Sequence, residues 1–224
     1  GTGGEQEMTK YEKISVLARE TAKRISANRE EWIRYLDVAS RLYKYPFEDQ
    51  ILIYAQRPDA TACASLEMWN EKMFCWVNRG AKGIALLDGE SERPRLRYVF
   101  DVTDVHKARR IGRDPFIWHL REEHKEAVLA GLEHIYGSTN DSLSFESRIY
   151  EIAAGIAEDF YEEAVDEVID AAANSFLEDL DGDVVSVRFR EMLVQSVSYI
   201  VLKSRWQSIW MVIIMPFLFL IRNI

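Results

Sequence analysis

Apolar residues recur at three- and four-residue intervals at Tyr11, Ile14, Leu17, Ala18, Thr21, Ala22 and Ile25, which predicts one buried helical face. Asn28 can cap a second helix, with Glu31 three residues on in a capping-box position. Trp32, Tyr35, Leu36, Ala39, Leu42 and Tyr43 form the apolar stripe of that helix. Pro46 forbids simple continuation and pushes Tyr45 towards an extended conformation. Phe47, Ile51, Leu52 and Ala55 predict a short third helix, ended by Gln56-Arg57-Pro58-Asp59.

The pattern then changes period. Ser65 is a plausible N-cap for a short helix carrying Leu66, Met68 and Trp69, and Phe74 to Val77 reads as extended. Arg79-Gly80-Ala81-Lys82-Gly83 places two glycines at a turn, where positive φ costs little. Ile84 to Leu87 is a short apolar strand. Arg95 to Val102 alternates, with Leu96, Tyr98, Phe100 and Val102 on one face and Arg95, Arg97, Val99 and Asp101 on the other. Val105 to Phe116 is basic and irregular, and Trp118 to Tyr136 returns to helical spacing. Gly137 to Asp141 is a linker and a candidate boundary. Beyond it a helical period runs from Ile149 to Leu180, as one long helix or two with a kink, then breaks at Asp179 to Asp183 and resumes over 186–204.

These elements predict an α+β fold: helices packed around a small antiparallel sheet, followed by an all-helical acidic extension. The expected organisation is an α+β domain over 8–136 and an acidic helical segment over 141–204. Residues 1–7 are read as non-native or linker residues, and 205–224 as an apolar tail at an aberrant or truncated end. That tail holds 13 uncharged residues from Ile209 to Ile221, interrupted by Pro216. A membrane-spanning helix needs about 20, so a membrane partner is not expected.

Charge sharpens the division. The net charge of -9 over 224 residues conceals 22 Lys and Arg against 20 Asp and Glu in residues 1–125, and 6 against 17 in 126–224. Within 72–113 there are 10 basic and 5 acidic residues, so a local basic face for nucleic acid is compatible with the acidic total. Cys63 and Cys75 are too few for a disulfide framework, and a reducing cytoplasm is the simpler compartment. No CxxC, HExxH or GxxxxGK[ST] occurs, so neither a zinc site nor a P-loop is indicated, and no cofactor is expected. In Asp179-Leu180-Asp181-Gly182-Asp183 the glycine is fourth and Glu191 thirteenth, the wrong spacing for an EF-hand loop, which leaves a helix-terminating turn.

The run from Tyr43 to Thr61, YKYPFEDQILIYAQRPDAT, is followed by Trp69 and by WVNRGAKGIA from Trp76 to Ala85. Together these segments resemble the N-terminal domain of ArdC-like antirestriction proteins, in the version that opens large helicase- or methylase-like proteins of Firmicutes conjugative elements. Tyr98 to Asp104 also fits. The strong resemblance covers about residues 9–105 and a weaker one extends to about Lys203. It implies association with single-stranded DNA. The family's HExxH lies in a separate domain, and nothing in this sequence supports protease or other enzyme activity.

Single-stranded DNA requires cations for phosphates and flat rings for bases. The candidate DNA-binding residues are Tyr45, Gln50, Tyr54, Arg57, Trp76, Arg79, Lys82, Arg95, Arg97, Arg109 and Arg110. Several of them have a second reading. The glycines at 80 and 83 could bring backbone N–H groups to a phosphate, or form an ordinary hairpin around a solvated Lys82. Arg95 and Arg97 match phosphate spacing, or line a solvent face. Trp69 and Trp76 stack bases or pack. Gln50, Gln56 and Arg57 touch sugar or base edges, or cap a helix-to-loop junction. His106, His119, His124 and His134 are too dispersed for a metal cluster. The alternative function is a protein-interaction or DNA-mimic antirestriction module acting through the acidic helices. A third is a scaffold that positions downstream helicase- or methylase-like domains of the same polypeptide.

Overall fold

Thr9 begins the first helix by capping it: its hydroxyl accepts from the Glu12 N–H, and the Glu12 carboxylate returns to the Thr9 N–H at 2.7 Å. This helix, α1, runs over Lys10–Ser26 in a computed structural model that describes residues 8–42, 44–89, 93–108, 121–175 and 178–203. Helix α2 (Arg29–Arg41) starts as expected, with Asn28 Oδ1 accepting from the Glu31 N–H at 2.9 Å. The Glu31 carboxylate is otherwise engaged, facing Arg34 at 2.9 Å and Arg24 at 3.8 Å. Helix α3 (Phe47–Gln56) buries Gln50, Ile51, Leu52 and Ile53 in succession, so it is enclosed on nearly all sides rather than along one stripe.

The chain divides into two units, Gly1–Val38 with Glu48–Ile117 and Ala39–Phe47 with Trp118–Ile224, each taken here over its described residues. The first is α+β. Strand β1 (Cys63–Ser65) is followed by a π-helical turn at Met68–Lys72, where Ser65 Oγ caps the Met68 N–H at 3.2 Å. Strands β2 (Cys75–Val77), β3 (Ile84–Asp88), β4 (Arg95–Asp101) and β5 (Val105–Lys107) complete it. All pairings are antiparallel, in a three-stranded sheet of order β1-β4-β3 and a two-stranded ribbon β2-β5.

The core side of the three-stranded sheet is the face that carries the arginines. Val99 of β4 stands opposite Ile84 of β3 and is 2% exposed, while Tyr98 on the other face is 39% exposed. Arg95 and Arg97 are themselves exposed, towards the start of the strand. Val99 and Asp101, further along the same face, are buried, and Arg97 turns to the Asp49 carboxylate of α3. Helix α3 ends by meeting the sheet edge-on. The Gln56 side-chain amide donates to the Ala85 carbonyl at 2.8 Å and accepts from the Ala85 N–H at 2.9 Å, so a glutamine side chain occupies a strand's place beside β3.

The second unit contains α4 (Glu122–Tyr136), α5 (Phe145–Ala173) and α6 (Gly182–Lys203). Helix α5 is one helix, packed against both α4 and α6. Its buried positions, Ile149, Ile152, Ala153, Ala157, Phe160 and Ala164, follow the helical period. Asp181 Oδ1 accepts from the Asp183 N–H, so the acidic stretch there serves as the turn that starts α6. The division of the chain falls ahead of α4 rather than at Gly137–Asp141. That segment is a tight turn within the second unit, with Gly137 at φ +100°. No described helix is long and apolar enough to cross a membrane, and the 205–224 tail lies outside the described residues.

One charge network closes the α4–α5 turn. Glu133 accepts from the Thr139 hydroxyl, from Arg148 at 2.6 Å and from the Thr139 N–H at 3.0 Å, and Arg148 also reaches Asp141 at 2.9 Å. The Thr139 hydroxyl first, then Arg148, hold the Glu133 carboxyl down at about 2. A carboxyl lowered on folding stabilises above its unfolded value, and that contribution is lost as pH falls through the folded value. Stability of the second unit is thus expected to decline between about pH 4.3 and pH 2. Denaturant midpoints measured over that range should fall less steeply for Glu133→Gln than for the parent chain.

Candidate nucleic-acid interface

The β2-β5 ribbon buries one face and leaves the other bare. Cys75 is wholly buried, and alternation puts Trp76 on the opposite side, 52% exposed. His106 of β5 stands directly across from Trp76 in the register. Asn78, two residues beyond Trp76 and hence on the same face, joins His106 through Oδ1 to Nδ1 at 2.6 Å. Phe74, two residues before Trp76, is also exposed and holds a left-handed backbone at φ +51°. Its carbonyl accepts from the Ala108 N–H at 3.0 Å, which extends the ribbon past the last register pair. A non-glycine residue at positive φ is held there by its surroundings at a cost on the order of 1 kcal/mol or more.

The turn after β2 carries the cations. The Ala81 N–H donates to the Asn78 carbonyl at 3.0 Å, and Gly80 sits at φ +86°, the left-handed position such a turn requires. Gly83 has a different reason to be glycine. A Cβ there would approach the Tyr98 and Phe100 side chains to 3.1–3.2 Å. The Ala81 amide is thus used inside the turn, and Gly83 is pressed on the sheet. Arg79 and Lys82 are both exposed, and among the described residues neither has a carboxylate partner.

Four of the sequence-predicted residues belong to the fold instead. Gln50 is fully buried, and its Oε1 accepts from the Tyr35 hydroxyl at 2.8 Å. Tyr54 is 6% exposed, edge-on to Tyr35, with Arg24 over its ring at 5.7 Å and its hydroxyl donating to Glu31 at 3.4 Å. Burial first, then the Glu31 charge, push the Tyr54 phenol above its ordinary value. Arg57 donates to Asp104 at 2.8 Å, to Thr103 at 2.9 Å and to Asp59 at 3.1 Å. Arg97 is paired with Asp49. Burial raises the Asp49 carboxyl, and Arg97 only partly opposes that. Trp69 likewise packs, donating from its indole N–H to the Phe100 carbonyl at 2.9 Å.

Of the remaining candidates, Trp76, Arg79 and Lys82 lie together along β2 and its turn, and Arg95 is exposed at the far end of β4. Tyr45 is half-buried in the 39–47 segment of the second unit. Arg109, Arg110 and the additional tyrosine at 43 lie outside the described residues. Asn78 and His106 were not among the expected site residues. No local signal announced His106, because β5 is three residues long and gains its identity from pairing with β2.

Among the described residues, no group of three His, Cys, Asp or Glu side chains is arranged to hold a metal ion. Comparison with family models, with curated proteins and with solved structures gives no match.

The two sets of arginines should separate in a stability assay. Arg97→Ala leaves Asp49 buried beside no cation and is expected to cost about 1–3 kcal/mol in denaturant unfolding. Arg79→Ala, on an open turn, should stay within about 0.5 kcal/mol of the parent.

Proposed function

We propose that the chain is a non-catalytic single-stranded DNA-binding module of a mobile-element protein, of the conjugation or antirestriction kind its sequence resembles. It would act in the cytoplasm, beside helicase- or methylase-like domains of the same polypeptide. The observation that carries this reading is the exposed Trp76 of β2, with the exposed Phe74 just ahead of it and, in the turn that follows, the exposed Arg79 and Lys82, which have no carboxylate partner among the described residues. Rings in such positions are available to unpaired bases, each worth about 1–3 kcal/mol when stacked.

The full chain titrated into labelled oligonucleotides by fluorescence anisotropy should prefer single over double strands. Its affinity should fall with salt at a logarithmic slope of about 0.7 per neutralised phosphate. Arg79→Glu with Lys82→Glu should lower affinity by about tenfold or more and reduce the slope by about 1.4, with the melting temperature unchanged. Absence of binding by the folded chain at low salt would remove the reading.

A second reading rests on α5. Asp159, Glu162, Glu163, Asp166, Glu167 and Asp170 are exposed, and none has a cationic partner among the described residues. Like charges spaced three and four apart on a helix oppose one another, so the stripe is held against its own repulsion. It supports a protein-interaction or DNA-mimic role. That role predicts inhibition of a restriction endonuclease in a cleavage assay, lost when Glu162, Glu163, Asp166 and Glu167 are made amides.

A further inference from the structure

The ribbon offers more than rings and charge. His106 and Asn78 are exposed, yet they are joined to one another beside Trp76. This side-chain bond is not needed to close the ribbon. The backbone already does so through the Asn78 N–H to the Asp104 carbonyl at 2.8 Å, next to the Val77 and Val105 pair. What the bond does is orient two polar groups. Because Asn78 Oδ1 can only accept, His106 Nδ1 carries the hydrogen, and in the neutral ring Nε2 is left as an acceptor. The Asn78 Nδ2 amide keeps its two donors. A fixed acceptor and a fixed donor therefore sit next to the most exposed ring of the ribbon.

We propose that His106 and Asn78 read the polar edge of a nucleobase stacked on Trp76, which makes one nucleotide position of this surface base-selective. The inference rests on the single-stranded reading above. Recognition of unpaired bases combines an aromatic platform with hydrogen bonds to an exposed edge, and the Watson–Crick edge of each base presents a donor beside an acceptor. Adenine and cytosine present an amino donor beside a ring-nitrogen acceptor, guanine and thymine a carbonyl acceptor beside an imino donor, so an oriented pair such as this satisfies one order and leaves the other short of a bond. Arg79 and Lys82, by contrast, meet phosphates and carry no sequence information. Phe74, just ahead of β2, supplies a second exposed ring. Selectivity is thus confined to one position beside a tolerant neighbour.

The test measures affinities of the full chain for dA, dC, dG and dT homo-oligonucleotides of equal length, for the parent and for Asn78→Ala and His106→Phe. The parent should favour dA and dC over dG and dT, or the reverse, by about tenfold or more. Each variant should bring the four affinities to within about twofold while leaving the salt slope unchanged. Arg79→Glu should instead weaken all four equally. Equal affinity of the parent for all four, or variants that weaken all four alike, would overturn the inference and leave single-strand binding standing. Binding of no oligonucleotide would overturn the single-stranded reading itself. His106→Phe retains a ring opposite Trp76, so it serves if Asn78→Ala disturbs the turn, and near-ultraviolet circular dichroism confirms the fold of each variant.

Discussion

Asp101 is the point on which the first unit turns. Its carboxylate is buried at the end of β4 and accepts from the Thr61 N–H at 2.7 Å, the Ala62 N–H at 3.0 Å, the Thr103 N–H at 3.1 Å and the Thr103 hydroxyl at 2.7 Å. Burial by itself would raise the carboxyl, but the Thr103 and Thr61–Ala62 donors outweigh it, and the group stays below its ordinary value. Three chain segments are thereby held by one side chain: the approach to β1, the end of β4, and the short 3-10 turn at Val102–Asp104. That turn aims β5 at β2. Arg57 braces it from outside by bonding Asp104 and Thr103. The position of the ribbon, and with it the exposed face of Phe74, Trp76, Asn78 and His106, follows from this buried charge.

The helices were the most legible part of the chain, for a local reason. Thr9, Asn28 and Ser65 each announce a helix start through a bond closed within three residues. The apolar period then carries the helix onward. Strand β3 was legible as a short apolar run and β4 from alternation. Strands β1 and β5 were not, since three residues hold no period and their pairing partners lie far along the sequence. Alternation also left the two faces of β4 unranked. Arg97 belongs to the core side only because Asp49, 48 residues away, meets it.

The site was legible in kind more than in detail. Trp76, Arg79 and Lys82 stand where aromatic and basic types were expected. Gln50 and Tyr54 were candidates for DNA contact, but polarity says nothing about burial once a partner exists. The Tyr35 hydroxyl satisfies Gln50, and Glu31 and Arg24 surround the polar end of Tyr54. These groups give α3 its specific seating where hydrocarbon alone would allow several. A polar residue inside a strongly apolar helix is thus as much a sign of a matched interior pair as of a ligand contact.

The glutamine that mates with Ala85 also decides how the three-stranded sheet meets the rest of the cell. A bare outer strand invites a second molecule to add its own strand, the route to swapped dimers and fibrils. Gln56 fills both backbone bonds of Ala85 and so stops that growth at β3. The opposite margin is β1, whose three residues offer too short a template to hold a visiting strand. One margin of this sheet is thus capped at Ala85 and the other is short, and both features work against the addition of a strand.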